Sequence, residues 1–565
     1  MIAISLNSLG QVYSSQGEYE KVEFYLQQSV KMLERLFKED HPDIVVGLNN
    51  LGYLYWNQGK YEQADSYYQQ ALKMQQRIFP NAHPYTGTIL NSLGCLCLDS
   101  KREKYEESAS FLIQALEIQQ GLFPNGHRDI ATILNNIGVF YLTFSQYEQA
   151  ENFYKQSVNM LEKLFPDGHP EVATSLNNLG NIYLEQKEYE KAKYNFQQVL
   201  EIHQKFFPDD YPNTIKSIHG LVFVFELTGN HKESLARCQT AIEMGNRILS
   251  RILAASNEKD RLLFLNRIRT TLDLYFSLII KHFKHNLEIV QTTFTLVLQR
   301  KAINIAAITA LNAAIYSGRY PHLEIEFQKL RSLSNQIIRL TTSSNQDEFA
   351  TQQELSIEII NQRLTKAQTE YEELEKFLAT QVPEIQLKED INYQVIASEI
   401  PEDTVLVEFV RFQNLDFERK KSTKEHYVAF VVPSQQPEQI VMVDLGEAEP
   451  IDILIEKFRD FLISSDTDNN HMGFKNFGNK KSKIKPSIKI KTYDFQTSPA
   501  GELTKLIYQP LCKYIGNTKN LIIAPDSVLS LLPFELLPRS ENSDTYLIDW
   551  YQSIQYITTA RDLLR

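Results

Sequence analysis

Five near-copies of one short string recur through the N-terminal part of the chain. They are Leu6-Asn7-Ser8-Leu9-Gly10, Leu48-Asn49-Asn50-Leu51-Gly52, Leu90-Asn91-Ser92-Leu93-Gly94, Leu134-Asn135-Asn136-Ile137-Gly138 and Leu176-Asn177-Asn178-Leu179-Gly180. Their glycines stand 42, 42, 44 and 42 residues apart. A fixed period of this size marks a linear stack of units, each burying its apolar face only against its neighbours. A second string keeps the same phase: Tyr19-Glu20-Lys21, Tyr61-Glu62-Gln63, Tyr105-Glu106-Glu107, Tyr147-Glu148-Gln149 and Tyr189-Glu190-Lys191. The longer period has two extra residues in the turn before Tyr105.

Each unit reads as two helices. Leu48, Leu51, Gly52 and Tyr55 share one helical face, and Gln58-Gly59-Lys60 breaks that helix. Tyr61, Ala64, Tyr68, Ala71 and Leu72 form the apolar face of the second. Gly52 and Ala64 are small where the two helices must approach closely. Proline then stops the pair in linkers such as Phe79-Pro80-Asn81-Ala82-His83-Pro84. His41, His83, His127 and His169 recur once per linker. One whole repeat separates them, too far for a shared metal ion, so they are expected to build the helix entry.

Leu-x-x-Leu-Gly-x-x-Tyr, then Tyr-x-x-Ala and Ala-Leu, resembles the tetratricopeptide repeat (TPR). The long period and the Phe-Pro-x-x-His-Pro linker resemble its kinesin-light-chain variety. The resemblance spans about six repeats over residues 1–245. Ile218 to Ala241 is a degraded copy, with Val222 for the glycine and His231 for the tyrosine. It implies an α-solenoid whose first helices line a concave groove, with the position after the leading Leu pointing inward. That position is Asn7, Asn49, Asn91, Asn135 and Asn177. An amide carries a donor and an acceptor, so this row is expected to pair with the backbone of a bound peptide. Tyr53, Trp56 and Asn181 would shape side-chain pockets beside it. The competing reading has the amides bonding between repeats and fixing the stacking; the consecutive Asn pairs suit both roles.

Net charge is −12, which disfavours nucleic acid as a partner. The lysines between Lys475 and Lys491 come without aromatic stacking residues and read as a solvated loop. The four cysteines match neither a metal site nor a disulfide framework, and point to reduced thiols in a cytoplasmic protein. Gln299-Arg300-Lys301 interrupts the most apolar segment, Phe294 to Ile315, which therefore reads as a core helix and not a membrane span. Met1 opens directly into a repeat helix without a leader, and further capping or repeat sequence is expected upstream. No cofactor and no metal are expected.

Residues 246–392 read as a helical connector. Arg261 to Arg267 and Leu272 to Phe283 look amphipathic, Thr295 starts another helix, and Leu355 to Leu378 is a long polar one. From residue 393 the pattern changes. Thr404–Phe412, Tyr427–Val432 and Ile440–Leu445 are β-branched and aromatic, and polar turns separate them, so three strands are predicted. Ile451 to Leu462 and Leu503 to Tyr514 read as helices flanking a polar, mobile insertion from Ser464 to Lys491. Leu521-Ile522-Ile523-Ala524 reads as a strand buried on both faces.

Leu521 to Pro538, with Pro525-Asp526 and Leu532-Pro533-Phe534-Glu535, then Tyr546-Leu547-Ile548 and Ile554 to Leu564, resembles the opening half of a CHAT domain. That caspase-like family follows TPR arrays in bacterial proteins. Residues 393–565 would then be the N-terminal part of a truncated α/β domain. The family's His-Gly and Ser-Ala-Cys strings come after the Ala560-Arg561-Asp562-Leu563-Leu564 segment, and neither occurs here outside His219-Gly220 in a repeat helix. No catalytic residue is assigned. Cys512 reads as a buried small hydrophobe, His426 as a strand-edge residue, and Asp526 and Glu535 as parts of a structural turn in which Asp526 bonds its own backbone. The expectation is a non-enzymatic scaffold or sensor that binds a protein or peptide, with no nucleic-acid or membrane partner. The alternative is the regulatory half of a TPR-controlled cysteine peptidase, its His and Cys lying downstream or in a separate CHAT half.

Overall fold

The structure, a computed structural model, describes residues 19–100, 104–166, 168–207, 211–255, 258–301, 320–343, 391–467, 498–539 and 545–564, with parts of 366–381. The extra residues before Tyr105, most of the Leu355–Leu378 helix and most of the polar insertion lie outside the described residues. The chain divides into two compact units, Met1–Arg237 and Cys238–Arg565.

The first unit is a stack of helical hairpins. Its helices are α1 (Tyr19–Leu36), α2 (Pro42–Asn57), α3 (Tyr61–Ile78), α4 (Pro84–Asp99), α5 (Tyr105–Leu122), α6 (Arg128–Thr143), α7 (Tyr147–Leu164), α8 (Pro170–Glu185), α9 (Tyr189–Phe206) and α10 (Thr214–Leu227). Helix α11 (His231–Ala255) follows. First helices therefore alternate with second ones, and first helices of neighbouring repeats also touch.

The linker histidines start the first helices. Nδ1 of His41, His83, His127 and His169 accepts the backbone N–H two residues on, at 3.1–3.2 Å. This is the N-cap role usually filled by Ser, Thr, Asp or Asn. Each imidazole also stacks on the phenylalanine that ends the preceding helix, as in His127 on Phe123 at 4.2 Å. Close approach within a hairpin depends on glycine. A Cβ at Gly138 would lie 2.6 Å from the buried Tyr154 ring, and one at Gly52 would lie 2.7 Å from Tyr68.

The second unit begins within α11, at Cys238, and continues with α12 (Glu258–Leu278), which runs into the π-turn Ile279–Phe283, and α13 (Leu287–Arg300). Thr295 thus lies inside a helix rather than starting one. Asn286 caps α13 by accepting the Ile289 N–H at 3.1 Å, a start that the apolar run after it obscured. Helices α14 (Glu324–Ser343) and α15 (Tyr393–Glu399) follow, then β1 (Thr404–Asp416), β2 (Lys421–Pro433), β3 (Val441–Glu447), α16 (Ala448–Thr467), a helical stretch from Pro499 to Ile515, β4 (Asn520–Ala524) and β5 (Ser553–Tyr556).

The strands form one sheet in the order β3-β2-β1-β4-β5. β1 and β2 pair antiparallel, as do β2 and β3; β4 runs parallel to β1, and β5 parallel to β4. Helices cover both faces. Val405, Val407, Phe409 and Ile523 point into a core with Ile451, Ile455, Leu503 and Leu511. On the other face, Phe276 of α12 meets Phe412 at 5.3 Å, and Phe294 of α13 meets Phe430 at 5.4 Å. Sheets with parallel strands are ordinarily buried in this way. The residues read as a connector thus supply one layer of this unit. Among the described residues, no helix is long and apolar enough to cross a membrane.

Candidate functional site

The outward face of the first helices carries the sequence-predicted residues. Taking the first Asn of each repeat as the origin, offsets −3, 0, +1 and +4 fall on one face of α2, α4, α6 and α8. The rows are Val46, Thr88, Thr132 and Thr174; Asn49, Asn91, Asn135 and Asn177; Asn50, Ser92, Asn136 and Asn178; and Tyr53, Cys95, Val139 and Asn181. Every member is half-buried or exposed. Asn7 lies outside the described residues.

The amides are linked from repeat to repeat. Asn136 Nδ2 donates to Asn91 Oδ1 at 2.9 Å, and Asn178 Nδ2 donates to Asn135 Oδ1 at 3.1 Å. Ser175 Oγ donates to Asn135 Oδ1 at 3.2 Å, and Ser217 Oγ to Asn177 Oδ1 at 2.9 Å. The acceptors of Asn91, Asn135 and Asn177 are thus engaged between repeats. Among the described residues, no partner takes the Nδ2 of Asn91, Asn135 or Asn177. Asn49 differs: its Oδ1 is shielded from solvent and makes no cross-repeat bond, and its amide lies instead against the Tyr85 hydroxyl. The next repeat carries Ser92 where Asn136 and Asn178 stand, and Ser92 Oγ donates instead to Thr88 O at 3.1 Å.

The aromatic end is only partly joined to this row. Tyr53 is 50% exposed, and its ring sits edge-on to Trp56 at 5.9 Å. Trp56 Nε1 donates to Asp99 Oδ2 at 3.0 Å, tying one repeat to the next. Asn181 is exposed at the far end. Tyr53 and Asn181 belong to the same row on different repeats, so they flank the amides from opposite ends and do not form one pocket.

A second constellation lies inside the α/β unit, and sequence reasoning missed it. Lys301, at the end of α13, donates through Nζ to Glu408 Oε1 at 2.6 Å. It also donates to the carbonyls of Phe409 at 2.9 Å, Pro525 at 3.0 Å and Ala524 at 3.3 Å. Glu408 is fully buried in β1, and its Oε2 accepts the Ala560 N–H at 2.6 Å. Burial raises the Glu408 pKa against the opposing pull of Lys301. The available signal was the charge of Lys301 in an apolar run and of Glu408 between Val407 and Phe409.

The other candidates have structural roles. Asp526 bonds not its own backbone but the Arg411 N–H, at 2.8 Å, because β1 runs beside it. Glu535 accepts from the Tyr556 hydroxyl, so the two carboxylates have separate partners. His426 is not at a strand edge: β2 begins at Lys421, and His426 pairs with Phe412 on one side and Glu447 on the other. The polar stretch Lys421–Glu425 extends the hairpin past the apolar run. Cys512 Sγ donates to Tyr508 O at 3.4 Å. Burial raises the pKa of all four thiols, that of Cys97 to about 11.

Comparison with known families finds tetratricopeptide repeats and a CHAT domain in this chain. Tetratricopeptide repeat models match residues 2–43, 43–104, 98–163 and 167–247, and the CHAT domain model matches 497–565. No curated protein matches the chain. Similar solved structures include BtubC (BKLC) from P. vanneervenii, 19% identical, covering 43% of this chain and 91% of that one at a TM-score of 0.33. A Podosopora anserina putative kinesin light chain with nearly identical TPR-like repeats is 19% identical, covering 37% and 98% at 0.32. NprR in complex with its cognate peptide NprX is 16% identical, covering 57% and 85% at 0.33.

Proposed function

The chain carries tetratricopeptide repeats followed by a CHAT-domain segment, and on that footing we propose that it is an interaction scaffold that captures a polypeptide segment along its first helices. The observation that carries this reading is the amide row. Cross-repeat bonds fix Oδ1 of Asn91, Asn135 and Asn177, which leaves their Nδ2 groups as oriented donors at the surface. A peptide backbone offers a carbonyl at nearly every residue, the complement of such a row of donors.

In this reading the α/β unit is structural or regulatory and catalyses nothing by itself. A thiolate is the attacking form of cysteine, and a thiol whose pKa is raised by burial supplies little of it at neutral pH. The scaffold works in the cytoplasm, where reduced thiols of this kind persist.

Site-specific photocrosslinking in the expressing cell tests the capture reading. A photoreactive residue replacing Tyr53 or Asn181 should yield protein adducts. The same probe at Tyr194, which is 62% exposed on the second helix α9, should not. Adducts that favour position 194 would overturn the proposal.

A further inference from the structure

The chemistry of the strip also limits which segment fits it, an inference that rests on the capture reading above. The four rows on α2, α4, α6 and α8 contain no Asp, Glu, Lys or Arg. The chain as a whole is 23% charged, and half-buried or exposed positions are where charged residues ordinarily collect. Charge appears only where the helices end. Asp43, Asp129 and Glu171 stand in first turns. Asp99 and Glu185 close α4 and α8.

A neutral surface cannot compensate a ligand's carboxylate or ammonium. Removing such a group from water without an ionic partner costs more than a neutral hydrogen bond returns. What the strip does supply is amide chemistry. Nδ2 of Asn91, Asn135 and Asn177, whose Oδ1 atoms are held between repeats, can donate to carbonyl oxygens of a segment laid along the strip. The threonines of the outer row add short polar side chains, and Val46, Val139 and Tyr53 add apolar contact.

We infer that the strip takes an extended polypeptide segment that is uncharged across the span facing α2 to α8. Main-chain groups and small polar or apolar side chains recognise it, and segments carrying Asp, Glu, Lys or Arg within that span are excluded. Specificity then comes from unpaired charges that the site declines to satisfy, as well as from favourable contacts.

Selection from a random phage-displayed peptide library on the full chain tests this, with counter-selection on a T132E/T174E variant. Both threonines are exposed, so the variant places charge in the strip without disturbing the core. Clones that bind the parent and not the variant should carry charged residues at about a third or less of their frequency in the unselected library. Synthetic copies should change affinity by less than about twofold between low and high salt. Variant-sensitive clones rich in Asp, Glu, Lys or Arg would overturn the inference and leave the capture reading standing. Absence of any variant-sensitive clone would overturn the capture reading itself, and this inference with it. A homodimer in light scattering that the variant dissociates would make a second copy the occupant, which also overturns the inference.

Discussion

The two units hold together at different distances along the chain. In the repeats, a helix start is fixed by a histidine two residues away, and a hairpin by a glycine and an aromatic 16 residues apart, as for Gly138 and Tyr154. In the α/β unit, the half-buried Lys301 ammonium ties α13 to residues 107 and 224 positions further on. The Glu408 carboxylate then reaches 152 residues to Ala560. A stack of near-neighbour contacts tolerates a local fault, whereas a knot of distant contacts transmits it.

The largest expected effect therefore lies in the second unit. K301M leaves Glu408 buried without its counter-charge and should cost about 3–5 kcal/mol. Calorimetry should show the α/β transition collapsing while the repeat transition stays. The double change K301M/E408L should recover most of the loss. If both transitions fall together, the two units are not energetically separate.

In the repeats, G138A puts a methyl group against a ring that cannot move and should cost about 1–3 kcal/mol. Hydrogen exchange should rise in α6 and α7 and in their immediate neighbours only. Spread over the whole array would break the comparison. A smaller, pH-dependent effect belongs to His219, whose pKa burial pushes down to about 4. An unfolded histidine titrates near 6.5, so between these values the unfolded chain binds a proton that the native one refuses. Repeat stability should fall as pH drops from about 6.5 towards 4, and H219Q should flatten that limb.

H127A removes one N-cap and should cost about 1 kcal/mol, read as fraying at the start of α6. The smallest effect is Y154F. The Tyr154 hydroxyl is buried without a partner, so its removal should shift stability by less than about 1 kcal/mol, towards stabilisation. Phe196 already occupies the equivalent place against Gly180, which shows that a ring without the hydroxyl fits.

These distances also explain what was legible in the sequence. Helix pairs could be read because Gly52, Tyr68 and their counterparts recur in phase, so each repeat reinforces the others. Strands β1 to β3 showed as β-branched runs with turns between them. The pairing of β1 with β4 left no local trace, since Val405 meets Leu521 across the whole α16 region. Lys301 looked like an interruption of an apolar run, because its partner lies far along the chain. Asp526 was assigned its own backbone for the same reason: Arg411 was not visibly near. The amide row was legible as a pattern. Its cross-repeat bonds were not, because stacking and ligand contact favour the same residue type.

The glycine–ring joint has a further consequence. Gly52 with Tyr68, Gly138 with Tyr154 and Gly180 with Phe196 are one coupling made several times over, entered each time through a histidine start. Whole modules can be added or removed by recombination between linkers, and every surviving coupling still finds its mate. The array can therefore change length in single evolutionary steps. The sheet has no such freedom, because none of its parts is interchangeable with another.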